Sequence, residues 1–318
     1  MIRSREIVQE IEEIRQRGRY STTRSELSTR LFDLERAFQR HDQSQKELTK
    51  YFPVAIVACI EAYFKMAIKD MVDSGEPFLD RAQSLPSGLK LDFSILKAVH
   101  GKAITVGEFI AHGVKLSRLD HIERAITALL GVGFLTVIRT ATNRWASEFR
   151  GKPSAPILLN PDEVFNDVAR TFELRHIICH EIASAYEIDH EEVERCFRNC
   201  VTFLRAANEL ISETIHPGAP LTQTAMNIAA GESLMEAKRR LYKACESVRS
   251  RLNQGELLAF DESQEKWQSY CDAWALFVAG ERSMGGTIWP VIYAGAAHAT
   301  IDRRLEEVGK WKRLSDPA

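Results

Sequence analysis

Residues 51–72 read YFPVAIVACIEAYFKMAIKDMV, the most apolar stretch of the 318-residue chain. Apolar side chains fall on every face of a helix drawn through it, and Pro53 stands near its start, where a missing N–H is tolerated. The stretch therefore predicts a helix buried on all sides, around which other helices must pack. Glu61 is its first charge, set between Ile60, Ala62, Tyr63 and Phe64. A carboxylate there needs a cation, and the sequence offers Lys65, four residues on, and the distant Arg175.

The flanking segments supply partners for that helix. Ile2, Ile7, Val8, Ile11 and Ile14 form a narrow helical stripe. Leu27, Leu31, Leu34 and Phe38 form a second, with Ser21, Thr22 or Thr23 available to cap it. Residues 74–104 are broken into short pieces by Gly75, Pro77, Pro86, Gly88 and Gly101. Thr105 caps a helix to about Leu116, and the next turns Leu119, Ile122, Ile126, Leu129 and Leu130 inward. Residues 131–152, GVGFLTVIRTATNRWASEFRGK, contain a β-branched run that suits a strand. Phe134, Ile138, Ala141 and Trp145 nevertheless recur at helical spacing, and a helix is expected. Arg139, Arg144, Arg150 and Lys152 make a modest basic cluster there, read as a solvated face ahead of a phosphate contact. Asn160 and Pro161 open a helix bearing Val164, Phe165, Val168 and Phe172. From about Asp189 to Thr214 another helix turns Val193, Phe197, Val201, Leu204 and Leu210 inward, and the fold class is all-α.

With 45% hydrophobic and 27% charged residues, the chain has the composition of a soluble globular protein, and its length suits two domains. A net charge of −2 gives no general cationic field, so any nucleic-acid contact must come from local basic patches. The opening MIRSREIVQEIEEIRQRG carries a charge in every turn and does not read as a signal peptide. No uninterrupted apolar run reaches the roughly 18 residues of a membrane span, and a cytoplasmic location without membrane attachment is expected. The six cysteines, Cys59, Cys179, Cys196, Cys200, Cys245 and Cys271, read as buried free thiols. Cys196 and Cys200 share a helix face, but no second pair completes a zinc site.

Candidate chemistry concentrates in residues 171–185, TFELRHIICHEIASA. Arg175, His176 and His180 interrupt an apolar segment that includes Ile177, Ile178, Cys179 and Ile182. Such groups are costly in a buried helix unless paired or put to use. Metal-free cleavage of a phosphodiester requires a base at the attacking hydroxyl, a cation on the scissile phosphate and in-line geometry. His180 suits the first role and Arg175 the second, while His176 suits phosphate or sugar contact, with Glu61 and Glu181 in support. Positions five apart on an ideal helix point about 140° from each other. Arg175 is therefore expected in a distorted turn, or reaching round the helix on its long stem.

Two other readings of these residues stand beside that one. Arg175 and His180 also suit a structural role, pinning helices through Glu61, Glu173 or Glu181. His176 and His180 with Glu181 form a possible helical ligand set for a metal, without the HExxH order because Ile177 follows His176. The favoured reading needs no metal and no cofactor. The same R-x4-H spacing recurs at Arg36 and His41 in polar sequence without an apolar helix, and that copy is set aside. His190, His216 and His298 read as surface or loop histidines.

Arg175 and His180, with a polar residue after the arginine and apolar residues between, resemble the signature of the HEPN family, the higher eukaryote and prokaryote nucleotide-binding domains. The resemblance implies a helical bundle, here residues 1–215 with an N-terminal helical extension. It also implies metal-independent endoribonuclease activity of the toxin or antiviral-defence type, RNA as partner, and a homodimer in which two copies of the motif line one cleft. A protein regulator or trigger fits the same resemblance. The alternative is a non-catalytic scaffold that binds nucleotide or protein.

Residues 216–224, HPGAPLTQT, form the best linker in the chain. Beyond it come Arg240, Leu241 and Tyr242, then Gln264, Trp267, Tyr270 and Asp272, then Gly285 and Gly286, then Thr300 and Arg303. In that order they resemble the lysozyme inhibitor LprI-like domain, here residues 225–318. Leu234, Ala237, Leu241, Ala244 and Val248 are expected inward, and Trp267, Trp274 and Trp289 are expected in the core. Secreted members carry a stapling disulfide. In this chain Ala275 stands where the resemblance places the first cysteine, and no cysteine follows Cys271. The resemblance leaves a second alternative, an interaction protein working through this domain.

Overall fold

The computed structural model describes residues 4–17, 23–85, 92–101, 103–151, 153–181, 186–280 and 286–315. Ile2, Ser21, Thr22, Pro86, Gly88, Lys152, Ile182 and Gly285 lie outside them. The described residues form fourteen α-helices and no strand; an isolated bridge pairs Thr142 with Pro156. The chain divides into two compact units, Met1–Pro217 and Gly218–Ala318.

The axis of the first unit is the helix Lys46–Asp73, α3 in chain order after α1 (Ser4–Arg17) and α2 (Thr23–Arg40). It packs against α2, α6 (Val106–Gly113), α10 (Pro161–His180) and α11 (His190–Ile215). Ile56, Ile60, Phe64, Ile68 and Met71 are each 0% exposed. Burying one such side chain contributes about 1.5–3 kcal/mol, so this row is a leading apolar contribution to the unit. The helix starts earlier than the apolar run, which places Pro53 inside it rather than in its first turn. By length and a mean hydropathy of 1.5 it would suffice to cross a membrane, but 61% of that window is buried within the fold. Glu61 is half-buried and has no ion pair or hydrogen bond with Lys65, Arg175 or any other described residue. Neither partner proposed for it from sequence is engaged.

Between α3 and α10 the chain makes short helices: α4 (Phe78–Arg81), α5 (Phe93–His100), α6, α7 (Leu119–Leu130), α8 (Phe134–Val137) and α9 (Arg144–Arg150). Thr105 and Glu108 form a capping box on α6. Asp73 at the end of α3 accepts from the Thr105 hydroxyl at 2.7 Å and the Gly107 amide at 2.8 Å. The backbones come so close here that a Cβ on Gly107 would lie 2.4 Å from the Lys69 carbonyl oxygen.

The helix expected across residues 134–145 is broken. Phe134 and Ile138 are fully buried and Ala141 nearly so, but the chain then extends, and Asn143 caps a new helix by accepting from the Ala146 amide. Trp145 consequently leaves the core and is 42% exposed. The periodicity ran across the break by coincidence, and the capping asparagine was the stronger signal.

In the second unit, α14 (Trp289–Ser315) packs along both α12 (Gln223–Arg249) and α13 (Gln254–Ala279), which meet each other far less. Ala237, Ala275, Ala279, Ala294 and Ala297 are all buried and let the backbones approach closely. Leu241 and Val248 face inward as expected, with Leu234 and Ala244 partly buried beside them. Trp267 packs on this core, whereas Trp274 is 37% exposed and departs from its expected place.

Two expectations follow for the first unit. Gly107→Ala should lower stability by about 1–3 kcal/mol, the usual range for overpacking, read as a lower urea midpoint with an unchanged slope. Burial pushes the Cys59 and Cys196 thiols up to about 11 and raises Cys200 further, whereas Cys179 is exposed, contrary to the buried context of its sequence. A thiol reagent at mildly alkaline pH should therefore label Cys179 first, with Cys59, Cys196 and Cys200 reacting only after unfolding.

Candidate active site

The site is built on the α10–α11 hairpin. Pro161 opens α10 with Asp162 and Glu163 in its first turn, where the helix dipole favours carboxylates. Val164, Phe165, Val168 and Phe172 are buried, and so are Asp167 (7% exposed) and Thr171 (1%). Asp167 accepts from Arg195 Nε at 3.2 Å and Asn199 Nδ2 at 2.6 Å, with the Cys196 thiol at 3.8 Å. The Cys200 thiol donates to the Thr171 hydroxyl at 3.3 Å. This polar seam sets the rotation of α10 against α11.

Sequence reading missed Asp167. It is three residues from Val164 and five from Phe172 on the inward stripe, and its place there was the available signal. Cys196 and Cys200 do share a face, and they use it to bond to α10.

One turn further on, Arg170 Nε donates to Glu192 at 2.8 Å, Nη1 to Glu173 at 3.0 Å and Nη2 to the Tyr186 hydroxyl at 2.9 Å. The hydrogen bond to Glu192, joined by those to Glu173, holds the Arg170 guanidinium above its ordinary range. Arg170 thereby ties α10 to Tyr186, ahead of α11.

Arg175, His176 and His180 occupy the last turns of the same unbroken helix. Arg175 is half-buried, and His176, Cys179, His180 and Glu181 are exposed, so the motif lies open rather than within a buried segment. Arg175 makes no ion pair or hydrogen bond with any described residue. The structural pairings with Glu61, Glu173 and Glu181 are therefore not formed, and Glu173 is taken by Arg170. A cleft of about 900 Å³ is lined by Arg175, His176, Arg170 and Glu173 from α10, and by Arg118, Asp120 and Glu123 at the start of α7. Arg118 is held by Asp120 at 2.8 Å.

Of the two geometries expected for Arg175, a distorted turn or a long stem reaching round the helix, the distorted turn is not found. His180 does not line the cleft; its ring instead meets that of His176 at 5.1 Å between centroids. The cleft thus combines a guanidinium unpaired among the described residues with an imidazole, and a second imidazole stands beside the first. That set can bind a phosphate and exchange protons. Among the described residues no cluster of three His, Cys, Asp or Glu side chains is placed to hold a metal ion.

In the other R-x4-H copy His41 is packed, contrary to its polar sequence, whereas Arg36 is exposed. Phe38 stacks between His190 and Phe197, at 5.8 Å and 4.8 Å, and His41 touches Phe38, Phe52 and His190. His41 Nδ1 lies 2.6 Å from the Phe38 carbonyl oxygen, and Arg36 lies over Phe32 at 5.9 Å. Phe38 and His41 close the end of α2 against α11, and His190 is a member of an aromatic cluster rather than a loop residue.

Residues 217–308 match the family model described as lysozyme inhibitor LprI. The second unit is similar to that family. No HEPN family match is found, and no curated protein and no solved structure matches the chain. In the LprI-like unit Arg240 of α12 donates to Asp302 of α14 at 3.1 Å and lies 3.3 Å from His298 Nε2, while Ser233 lies 3.0 Å from His298 Nδ1. His298 is thus part of an interhelical polar node. Thr300 is 2% exposed, and Arg303 donates to its hydroxyl at 3.3 Å. Ala275 is 0% exposed and packs in the core.

Asp167→Ala would leave Arg195 and Asn199 facing a vacated acceptor. Arg195 is 51% exposed, which screens its share, so the expected loss is about 1–3 kcal/mol. Chemical denaturation measures it, and Arg170→Ala, at the half-exposed node, should cost less.

Proposed function

We propose that the first unit is a metal-independent endoribonuclease of the HEPN kind, acting on RNA as a dimer in the cytoplasm. The observation that carries the reading is the Arg175 guanidinium, unpaired among the described residues, in an open cleft whose other arginines, Arg118 and Arg170, are bound to carboxylates. A cation kept without a counter-ion in a concave site is available to an anionic ligand. In this reading Arg175 neutralises the scissile phosphate and His176 holds a neighbouring oxygen. His180 takes the 2′-hydroxyl proton. Because His180 stands outside the lining of its own cleft, two chains bring their motifs together and each supplies what the other lacks. A role in toxin or antiviral defence goes with the same family resemblance.

Purified protein incubated with RNA in chelator should cleave it and leave 2′,3′-cyclic phosphate ends. Arg175→Ala and His180→Ala should each lower the rate about 10²- to 10⁴-fold while melting temperature and oligomeric state stay unchanged. RNA left intact by the wild-type chain, with variants indistinguishable from it, would decide for a non-catalytic scaffold.

A second reading, a protein-interaction role for the LprI-like unit, is favoured by its family match and by one feature of α13. Tyr270, Trp274 and Phe277 form an exposed aromatic row, with centroid separations of 6.4 Å and 5.6 Å. Exposed aromatics in a row are a common core of protein interfaces.

A further inference from the structure

Residues 143–156 leave the core of the first unit and return to it at the same place. Their neck is closed by the Thr142–Pro156 bridge and by the Ile157 amide donating to the Ala141 carbonyl at 2.8 Å. Arg144 fastens the lobe from within, bonding to Glu148 at 2.9 Å and to Glu213 of α11 at 2.6 Å. The helix it carries, α9, has no buried residue. It nevertheless displays Trp145 (42% exposed) and Phe149 (47%), four residues apart on one face, with ring centroids 4.7 Å apart. Neither belongs to a hydrophobic core cluster. Arg150 follows at the end of the helix, exposed and without an ion pair or hydrogen bond to any described residue.

Two large aromatics held outward on a fastened loop contribute little to folding, and loops of this form commonly carry binding residues. The sequence of the lobe, NRWASEFRGKPSAP, carries Arg144, Arg150 and Lys152; Arg144 is taken by Glu148 and Glu213, which leaves Arg150 as the cation without a described partner beside the aromatic pair. An exposed aromatic pair beside a guanidinium with no partner among the described residues matches unpaired bases, which offer π-faces, on a phosphate backbone. A paired duplex hides those faces.

We propose that the lobe 143–156 is a docking platform for single-stranded RNA, with bases stacking on Trp145 and Phe149 and Arg150 on a phosphate. The proposal rests on the ribonuclease reading for the choice of RNA, and it names unpaired RNA as the substrate class of that site.

The test uses the full chain with Arg175→Ala, so that RNA persists, and follows fluorescence anisotropy of a labelled oligouridylate and of a duplex of equal length. The oligouridylate should bind more tightly than the duplex. Adding Trp145→Ala and Phe149→Ala should weaken it by at least about tenfold, the scale of losing one or two stacked bases. Trp145→Phe should keep binding within about threefold, which separates stacking from misfolding, and Arg150→Gln should flatten the salt dependence.

Unchanged oligouridylate affinity in the double variant overturns the proposal, as does absence of RNA binding with the aromatics instead required for a protein contact. Cleavage by the native chain with the same KM after the aromatic substitutions leaves the ribonuclease reading standing and the platform refuted. Aromatic-dependent RNA binding without cleavage has the opposite meaning.

Discussion

A carboxylate buried between two helices governs the first unit. Asp167 is 7% exposed and is held by Arg195 and Asn199 from α11. An uncompensated charge at that depth would cost several kcal/mol, so α10 has few rotations available to it. The permitted one turns Val164, Val168 and Phe172 toward α3 and leaves the outer face of α10 to Ala169, Glu173, Arg175 and His176. The position of the candidate site is thus a consequence of the seam, somewhat more than two turns along the helix from it. The seam also gives the cysteines of α11 a place in the fold, since the raised Cys196 and Cys200 thiols remain neutral donors to Asp167 and Thr171.

The second unit solves its packing differently. A small three-helix domain has little apolar area to bury, and a disulfide is one common remedy. Here alanines at the contacts bring α14 close to both neighbours, and the Arg240, Asp302 and His298 node fixes their register at the surface. Cys271 is buried and its thiol lies 3.8 Å from the Ala297 carbonyl oxygen, so it serves as a small core residue. Close alanine packing consumes the inner faces of the helices and leaves the long side chains outside. Tyr270, Trp274 and Phe277 are exposed for that reason, and an apolar row of this size on a small unit is unusual without a partner.

The all-α class and most helices of the first unit were legible because their apolar residues repeat at helical spacing and their ends carry recognisable caps, as at Thr105 and Asp189. The break before Asn143 was not, since Ala141 and Trp145 continued the repeat across it. Arg175, His176 and His180 were legible as titratable groups in an apolar segment, and the expectation that the segment is buried was wrong. Ile177 and Ile178 are half-buried at the end of a helix whose buried part finishes near Leu174. Sequence could also not disclose which arginine is paired. Arg170 and Arg175 have similar local surroundings, and their difference depends on Glu192 and Tyr186, which only the fold brings near one of them.

That difference bears most directly on chemistry. Arg170 and Arg175 stand on one helix and line one cleft, yet one makes three hydrogen bonds and the other makes none with a described residue. A guanidinium already satisfied by two carboxylates has little left to offer a phosphate, because a ligand must first displace partners that are themselves anionic. An unpaired one has no such cost, and its half-buried stem limits the conformational freedom lost on binding. Arg170 and Arg118 therefore shape the cleft and keep Glu173 and Asp120 occupied, and of these three arginines Arg175 is the one without a partner among the described residues. The carboxylates that occupy Arg170 come from Glu173 on α10 itself and Glu192 on α11, with the Tyr186 hydroxyl added ahead of α11, so the packing of α11 against α10 determines which arginine is paired.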